Sequence, residues 1–286
     1  MCTVGGIADV IEAARSRQGP PREGDYYRDG LLICGKCGEP REHKIRIGDT
    51  ETKVPVQCAC EREAAEARKR SEDFRQKMMR INHLRTASMM PGEYRNASFK
   101  SSTSTKDNVK ALKTAWAYVT RWKTMKEKNQ GLLLFGPVGT GKSYTAACIA
   151  NYLLEKEVPV VMTSFVKILS DIANDPSAEQ TYLAAINTAE LLIIDDLGAE
   201  RNTDYALEKV YAIIDGRVRI GKPMILTTNL KPQEMIQTDD IRYKRIYDRI
   251  FAVCYPVQMA GKSFRLVQAA QRQEAMRRLF EEGEPG

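Results

Sequence analysis

From residue 107 onward the chain alternates between short, almost wholly apolar runs and longer stretches in which apolar and polar positions mix. The runs fall at 131–135 (Gly131-Leu132-Leu133-Leu134-Phe135), 158–162, 191–195, 224–227 and 251–255, and they read as strands. Helices are expected near 107–127 and over 142–156, with further helical stretches between the later runs. Strands that are apolar on both faces and separated by helices predict a parallel sheet covered on both sides. The expected class is α/β.

The first third has a different texture. Residues 1–30 mix Gly, Pro and charge, as in Gly19-Pro20-Pro21-Arg22-Glu23-Gly24, which predicts a short helix near 7–15 and then a loop. Residues 31–60 hold strand-like pieces such as Lys44-Ile45-Arg46-Ile47 between two cysteine pairs. Residues 61–80 read as a helix dense in both signs of charge, whose ordinary meaning is a solvated face. Pro91-Gly92-Glu93 and the run Ser101-Ser102-Thr103-Ser104-Thr105 mark the passage into the second part. The expected division is a small module over 1–95 and a larger domain over 96–286. There is no internal repeat.

A length of 286 residues suits that plan, since one ordinary core needs only about 100–200. With 43% hydrophobic and 28% charged residues, and no uncharged apolar run near the roughly 20 residues of a membrane span, no membrane role is expected. The amino terminus lacks a basic region followed by an apolar stretch, so the expectation is a cytosolic protein. A net charge of +7 is compatible with a nucleic-acid partner and equally with a mildly basic protein that binds none.

The chemistry is concentrated after the first apolar run. Gly136-Pro137-Val138-Gly139-Thr140-Gly141-Lys142-Ser143 matches G-x-x-x-x-G-K-[ST] between a predicted strand and a predicted helix. Glycines let such a loop curl so that its N–H groups face phosphates, and the following helix adds its positive amino end. Lys142 is expected at the β- and γ-phosphates and Ser143 at Mg²⁺, with Tyr144 beside them. The run Leu191-Leu192-Ile193-Ile194-Asp195-Asp196 supplies carboxylates at the end of a buried strand, where ligands of open α/β sheets collect. Asp195 is the expected metal-side carboxylate; Asp196 is placed to orient or deprotonate an attacking water. Asn229, after the strand ending Thr227-Thr228, is a candidate for the γ-phosphate or that water, or else a plain turn residue.

Over roughly residues 95–270 this set resembles the AAA+ ATPases, with Walker A, a two-aspartate Walker B and a sensor-like Thr227-Thr228-Asn229. Asp195-Asp196-Leu197-Gly198, Ile246-Tyr247-Asp248-Arg249-Ile250 and Gly261-Lys262-Ser263-Phe264-Arg265 look most like the DnaC/IstB helicase-loader branch. The resemblance implies that Arg249 is an arginine finger reaching a neighbouring subunit's γ-phosphate, with Arg245 the alternative, and that Arg265 is a second sensor. A planar cation supplied in trans stabilises charge spread over phosphoryl oxygens, so hydrolysis would depend on assembly.

Cys34-Gly35-Lys36-Cys37 and Cys58-Ala59-Cys60 offer four thiols in two close pairs, the ligand count of a structural zinc site, with His43 a possible substitute for one. Free buried cysteines or a redox pair are the other readings. Cys148 and Cys254 fall in a helix and a strand, where small buried hydrophobes are expected. A cysteine-bearing module before a charged helix also resembles the helicase-binding region of phage and Gram-positive-type loaders, which implies a protein partner for residues 1–90. Interleaved bases such as Arg62, Arg68 and Arg75 leave a nucleic-acid grip open.

The reading that results is an ATP-dependent helicase loader for phage or bacterial replication, assembling on single-stranded DNA and binding a DnaB-like replicative helicase. Phe165 and Lys167, in a segment 163–185 where initiator-type relatives carry an extra helix, are candidate DNA contacts or else packing and surface residues. The rivals are an IstB-type transposition ATPase and a non-catalytic switch that binds ATP for assembly.

Overall fold

The computed structural model describes residues 20–47, 49–175, 177 and 179–282; the helix expected near 7–15, and Cys2, lie outside them. The chain forms two compact units, Met1–Met78 and Met79–Gly286.

In the first unit β1 (Tyr26–Arg28) and β2 (Leu31–Ile33) form an antiparallel hairpin. Its two-residue turn, Asp29-Gly30, has positive φ at both positions (52° and 73°), the geometry that matches the twist of the flanking strands. A second hairpin pairs β3 (Glu42–Ile47) with β4 (Thr50–Pro55). Few side chains are buried here, chiefly Leu32, Ile33, Cys34 and Cys58, so the apolar core is small. Arg41 is buried with them at 3% exposure and pairs with Asp25 and Glu61. Helix α1 (Ala59–Ala87) runs on through the division between the units and is longer than the expected 61–80.

The second unit is built on a five-stranded parallel sheet in the order β6-β7-β8-β5-β9. The strands are β5 (Gly131–Phe135), β6 (Val160–Ser164), β7 (Leu191–Leu197), β8 (Met224–Thr228) and β9 (Cys254–Gln258). Successive strand side chains go to opposite faces. Leu132, Leu134, Ile193 and Ile225 join one core, with α2 (Val109–Thr120) and α4 (Lys142–Glu155). Leu133, Leu192, Ile194 and Leu226 join the other, with α5 (Phe165–Asn174), α7 (Asp204–Arg219) and α9 (Ile241–Val253). Short helices α3 (Trp122–Glu127), α6 (Glu179–Thr188) and α8 (Pro232–Ile236) complete the connections, and α10 (Phe264–Glu282) closes the described chain. No helix among the described residues is long and apolar enough to cross a membrane.

Several expectations are corrected. The helix expected near 107–127 is two helices broken at Arg121, which leaves helical geometry at φ −107°, ψ 24°. The last strand begins at Cys254 rather than 251, because Ile246, Tyr247 and Ile250 keep a helical period that packs α9 on the sheet. Residues 79–95, given to the first module on composition, contribute Leu84, Met90 and Tyr94 to the core of the second unit. Phe165, a candidate DNA contact, is fully buried at the start of α5 and is a core residue. Lys167 is exposed and pairs with Asp171 one turn on, at 3.0 Å.

One buried residue had no forerunner in the sequence analysis. Arg217 is 0% exposed, and its guanidinium donates to the carbonyls of Ala189 (2.8 Å), Glu190 (3.0 Å) and Pro223 (3.0 Å). It thereby ties the turn before β7 to the turn before β8. Burial lowers its pKa to about 10, which leaves it charged at neutral pH.

Candidate nucleotide site and candidate metal centre

Strand β5 lies between β8 and β9, so the chain leaves its carboxyl end where the strand order reverses, the place at which open α/β sheets form a crevice. The loop of residues 136–143 occupies that place. Gly136 (φ 147°) and Gly139 (φ 80°) take backbone conformations that L side chains rarely adopt. A Cβ on Gly136 would stand 2.1 Å from the Met259 carbonyl oxygen, and one on Gly139 2.0 Å from the Ser263 hydroxyl. The loop is thus clamped between β5 and the segment leading into α10, with Phe264 N–H donating to the Gly139 carbonyl at 2.9 Å.

The loop opens onto a cavity of about 720 Å³ lined by residues 138–145, Asp196, Asn229, Phe264 and Arg265, among others. Lys142 is 6% exposed at its floor. Its ammonium donates to the carbonyls of Gly136 and Pro137, both at 2.9 Å, and to the Asn229 amide oxygen at 2.8 Å. Burial lowers its pKa, opposed by the carboxylates of Asp196 and Asp195. A buried cation held by neutral oxygens, at the amino end of the 14-residue helix α4, is a site made for an anion.

The two aspartates are positioned by Thr227, which the sequence singled out only as part of a sensor-like run, with no role of its own. Thr227 is 0% exposed; its hydroxyl donates to Asp195 Oδ1 at 2.6 Å and accepts from the Asp196 N–H at 2.9 Å. Between Ile194 and Leu197 the β7–β8 register shifts, and Asp196 takes a left-handed conformation at φ 57°. The irregularity leaves Asp196 exposed and lining the cavity, while Asp195 is half-buried behind it on Thr227. The available signal was a threonine inside the buried apolar run of β8, two residues before Asn229.

The wall opposite comes from the segment before α2. Asn108, 3% exposed, holds it in a tight turn by accepting from Thr105 N–H and donating to the Thr103 carbonyl. Asn151 on α4 donates to the carbonyls of Tyr94 and Ala97. Tyr94 lines the cavity, its phenol held above the usual range by burial and by nearby Glu93 and Asp195. Tyr144 lines it too, with its hydroxyl 2.9 Å from Ser101.

Arg249 is not part of this wall. It lies on α9 with its Nε 3.0 Å from Asp215 on α7, its charge reinforced by the Tyr211 hydroxyl and that carboxylate. Arg245, one turn earlier, is exposed and has no carboxylate partner among the described residues.

In the first unit Cys34, Cys37, Cys58 and Cys60 place their sulfurs within 4.8 Å of one another. Backbone N–H groups of Cys60 and Glu39 pull the Cys37 thiol down to about 6, those of Cys37 and Lys36 lower Cys34, and burial pushes Cys58 up to about 12. Four convergent sulfurs with amide donors behind them suit a tetrahedral thiolate site. His43 is exposed on β3, and the cluster forms without it. Cys148 and Cys254 are buried, as expected.

The model of the family described as IstB-like ATP binding protein matches residues 54–272. This chain belongs to that family. Among its relatives is the phage-like element PBSX protein XkdC of Bacillus subtilis, 26% identical over 85% of this chain and 89% of that one. The replicative helicase loader DnaI of Bacillus subtilis is 28% identical over 48% of each chain, so the match spans about half of that relative. A crystal structure of DnaI superposes with a TM-score of 0.52 at 27% identity, over 61% of this chain and 93% of the other. The fold is that of the AAA+ P-loop proteins within this helicase-loader and IstB-like ATP-binding group.

Proposed function

We propose that the chain is an ATP-hydrolysing helicase loader that assembles into an oligomer on single-stranded DNA in the cytosol. The observation that carries the reading is the buried ammonium of Lys142, held by Asn229 and two loop carbonyls at the floor of a cavity that Asp196 also lines. Bound ATP with Mg²⁺ supplies the phosphoryl group and the metal charge that offsets its oxygens.

The residues then divide the work. The N–H groups of residues 138–143 and the amino end of α4 cradle the phosphates, and Lys142 trades a carbonyl partner for a β/γ oxygen. Ser143 and Asp195 hold the metal ion, with Thr227 fixing the carboxylate. Asp196 orients or deprotonates the attacking water, and Asn229 steadies the γ-phosphate from the other side. Arg265, on the cavity wall at the start of α10, answers the phosphate charge within the subunit. Arg249 serves as the finger for a neighbouring subunit; Arg245 is the alternative on the same helix. Cys34, Cys37, Cys58 and Cys60 hold a structural zinc in the amino-terminal module, which binds the DnaB-like helicase. Similarity to XkdC along most of both chains, and to the helicase loader DnaI, supports this assignment.

ATP hydrolysis by purified protein, with and without single-stranded DNA, tests the reading beside Lys142→Ala, Arg249→Ala and Arg245→Ala. Turnover that rises with protein concentration and with DNA, and that Lys142→Ala and one of the two arginine variants abolish, is the expected result. DNA-indifferent turnover untouched by either arginine variant would remove the finger in trans. Activity near background that Asp196→Asn does not lower would make the chain a binding switch. The family match itself favours a second reading, an IstB-type transposition ATPase. Capture of a hexameric helicase by the full chain, without stimulation of a transposase, decides for the loader.

A further inference from the structure

Helix α2 and its surroundings carry charge and aromatic surface that the nucleotide site does not use. Between residues 106 and 128 stand Lys106, Lys110, Lys113, Arg121, Lys123, Lys126 and Lys128, against the acids Asp107 and Glu127 alone. Of these bases only Lys126 has a carboxylate partner among the described residues, Glu190. Lys106, Lys110, Lys113, Trp116 and Thr120 follow one another at spacings of three and four, so they share one stripe of the helix and its approach.

In the middle of that stripe stands an exposed aromatic ring. Trp116 is 47% exposed although it is large and apolar. It is held edge-on between Phe99, with centroids 5.4 Å apart, and Tyr152 on α4, at 5.3 Å. Lys156 lies 5.8 Å from the centre of the Tyr152 ring and extends the positive surface beyond it. The acids beside Lys156 are already paired: Glu155 with Arg85 and Glu157 with Arg80. The patch therefore keeps its positive sign, and its indole is braced on two sides with area left uncovered.

From this we infer that the Phe99–Trp116–Tyr152 cluster and the lysine stripe of α2 form a docking surface for single-stranded nucleic acid. Unpaired lysines along a helix answer phosphates, and a braced, exposed indole offers a stacking face to an unpaired base. Duplex bases are already stacked, so the indole adds nothing for them. An acidic protein segment would satisfy the lysines but leave the ring unused. The inference deepens the loader reading by giving the strand a site outside the nucleotide cavity and apart from Lys167.

The test uses the full chain with Trp122→Phe, which leaves Trp116 as the sole tryptophan, and a fluorescent twenty-residue oligothymidylate. Binding is followed by anisotropy and by quenching of Trp116. The expected result is quenching with the same midpoint as the anisotropy, tighter binding of the single strand than of a duplex of equal length, and about tenfold weaker binding in Trp116→Ala. Because Trp116→Ala also removes packing, Lys110→Glu/Lys113→Glu is measured beside it. That variant lowers the slope of log affinity against log salt by about 1.4, two phosphate contacts, and leaves basal ATP turnover unchanged. Oligothymidylate that binds both variants within twofold of the parent, without quenching, would overturn this surface and leave the DNA-binding loader standing. No binding of oligothymidylate by the parent, whether or not polyglutamate quenches Trp116, would overturn both.

Discussion

Replacing Thr227 by Val tests whether one buried hydroxyl holds the carboxylates of Asp195 and Asp196 in the geometry the proposed hydrolysis needs. Valine keeps the shape and opens no cavity, so the loss is confined to two hydrogen bonds: 2.6 Å to Asp195 Oδ1 and 2.9 Å from the Asp196 N–H. A bond to a carboxylate contributes about 1.5–3 kcal/mol and a neutral one about 1, so the total is about 3 kcal/mol. In a unit of this size each kcal/mol lowers Tm by about 2–4 °C, which gives a fall of about 6–12 °C. The effect on turnover is larger in proportion. Asp196 sits at φ 57°, past an irregularity in β7, and the Thr227 bond to its N–H helps hold that turn. If the carboxylates drift by an ångström, kcat falls by about 100-fold. KM is expected to stay close to the parent value, since the proposed mechanism assigns ground-state binding to Lys142 and the loop N–H groups, which Thr227 does not touch. Thr227→Ser keeps the hydroxyl, loses one methyl at a cost of about 1 kcal/mol, and recovers most of the activity. Steady-state ATPase kinetics and thermal unfolding of the three proteins give the answer. A Thr227→Val protein with parental kcat, or a Thr227→Ser protein equally impaired, would refute the reasoning.

Two further outcomes follow from buried groups elsewhere. Arg217→Met keeps much of the side-chain volume but removes the guanidinium from the carbonyls of Ala189, Glu190 and Pro223, the last keeping the Leu192 N–H; stability falls by about 3 kcal/mol and Tm by about 6–12 °C, read by calorimetry, with kcat of the remaining folded protein unchanged. For the cysteine cluster, acid release into a colorimetric chelator gives one zinc per chain, and Cys34→Ser abolishes it; the first unit then loses cooperative unfolding while ATP hydrolysis by the second persists.

What the sequence made legible, and what it hid, follows from where the physical constraint resides. A loop that must curl round phosphates announces itself in glycines at fixed spacing, because the constraint lies in each residue's own φ. Strands buried on both faces announce themselves as apolar runs, and four of the five expected runs overlap closely with the strands formed. The fifth shows the limit. Residues 250–257 are almost continuously apolar, so composition cannot say where α9 stops and β9 begins; the packing of Ile246 and Ile250 against the sheet decides it. The same holds for Phe165, whose burial depends on α5 lying back over the sheet.

Side chains whose partners lie far along the chain were harder still to foresee. Arg217 meets carbonyls of residues 189, 190 and 223, which come together only when β7 and β8 lie side by side. Thr227 reaches Asp195 for the same reason, across a strand pair and 32 residues of chain. The carboxylates, the lysine and the glycines of the nucleotide site carry their chemistry wherever they stand, so a pattern exposes them. The hydroxyl and the guanidinium that hold the ends of β7 and β8 acquire their roles only from the register between those strands. Substitutions at Thr227 and Arg217 therefore separate the two kinds of residue: the first removes turnover along with stability, the second removes stability alone.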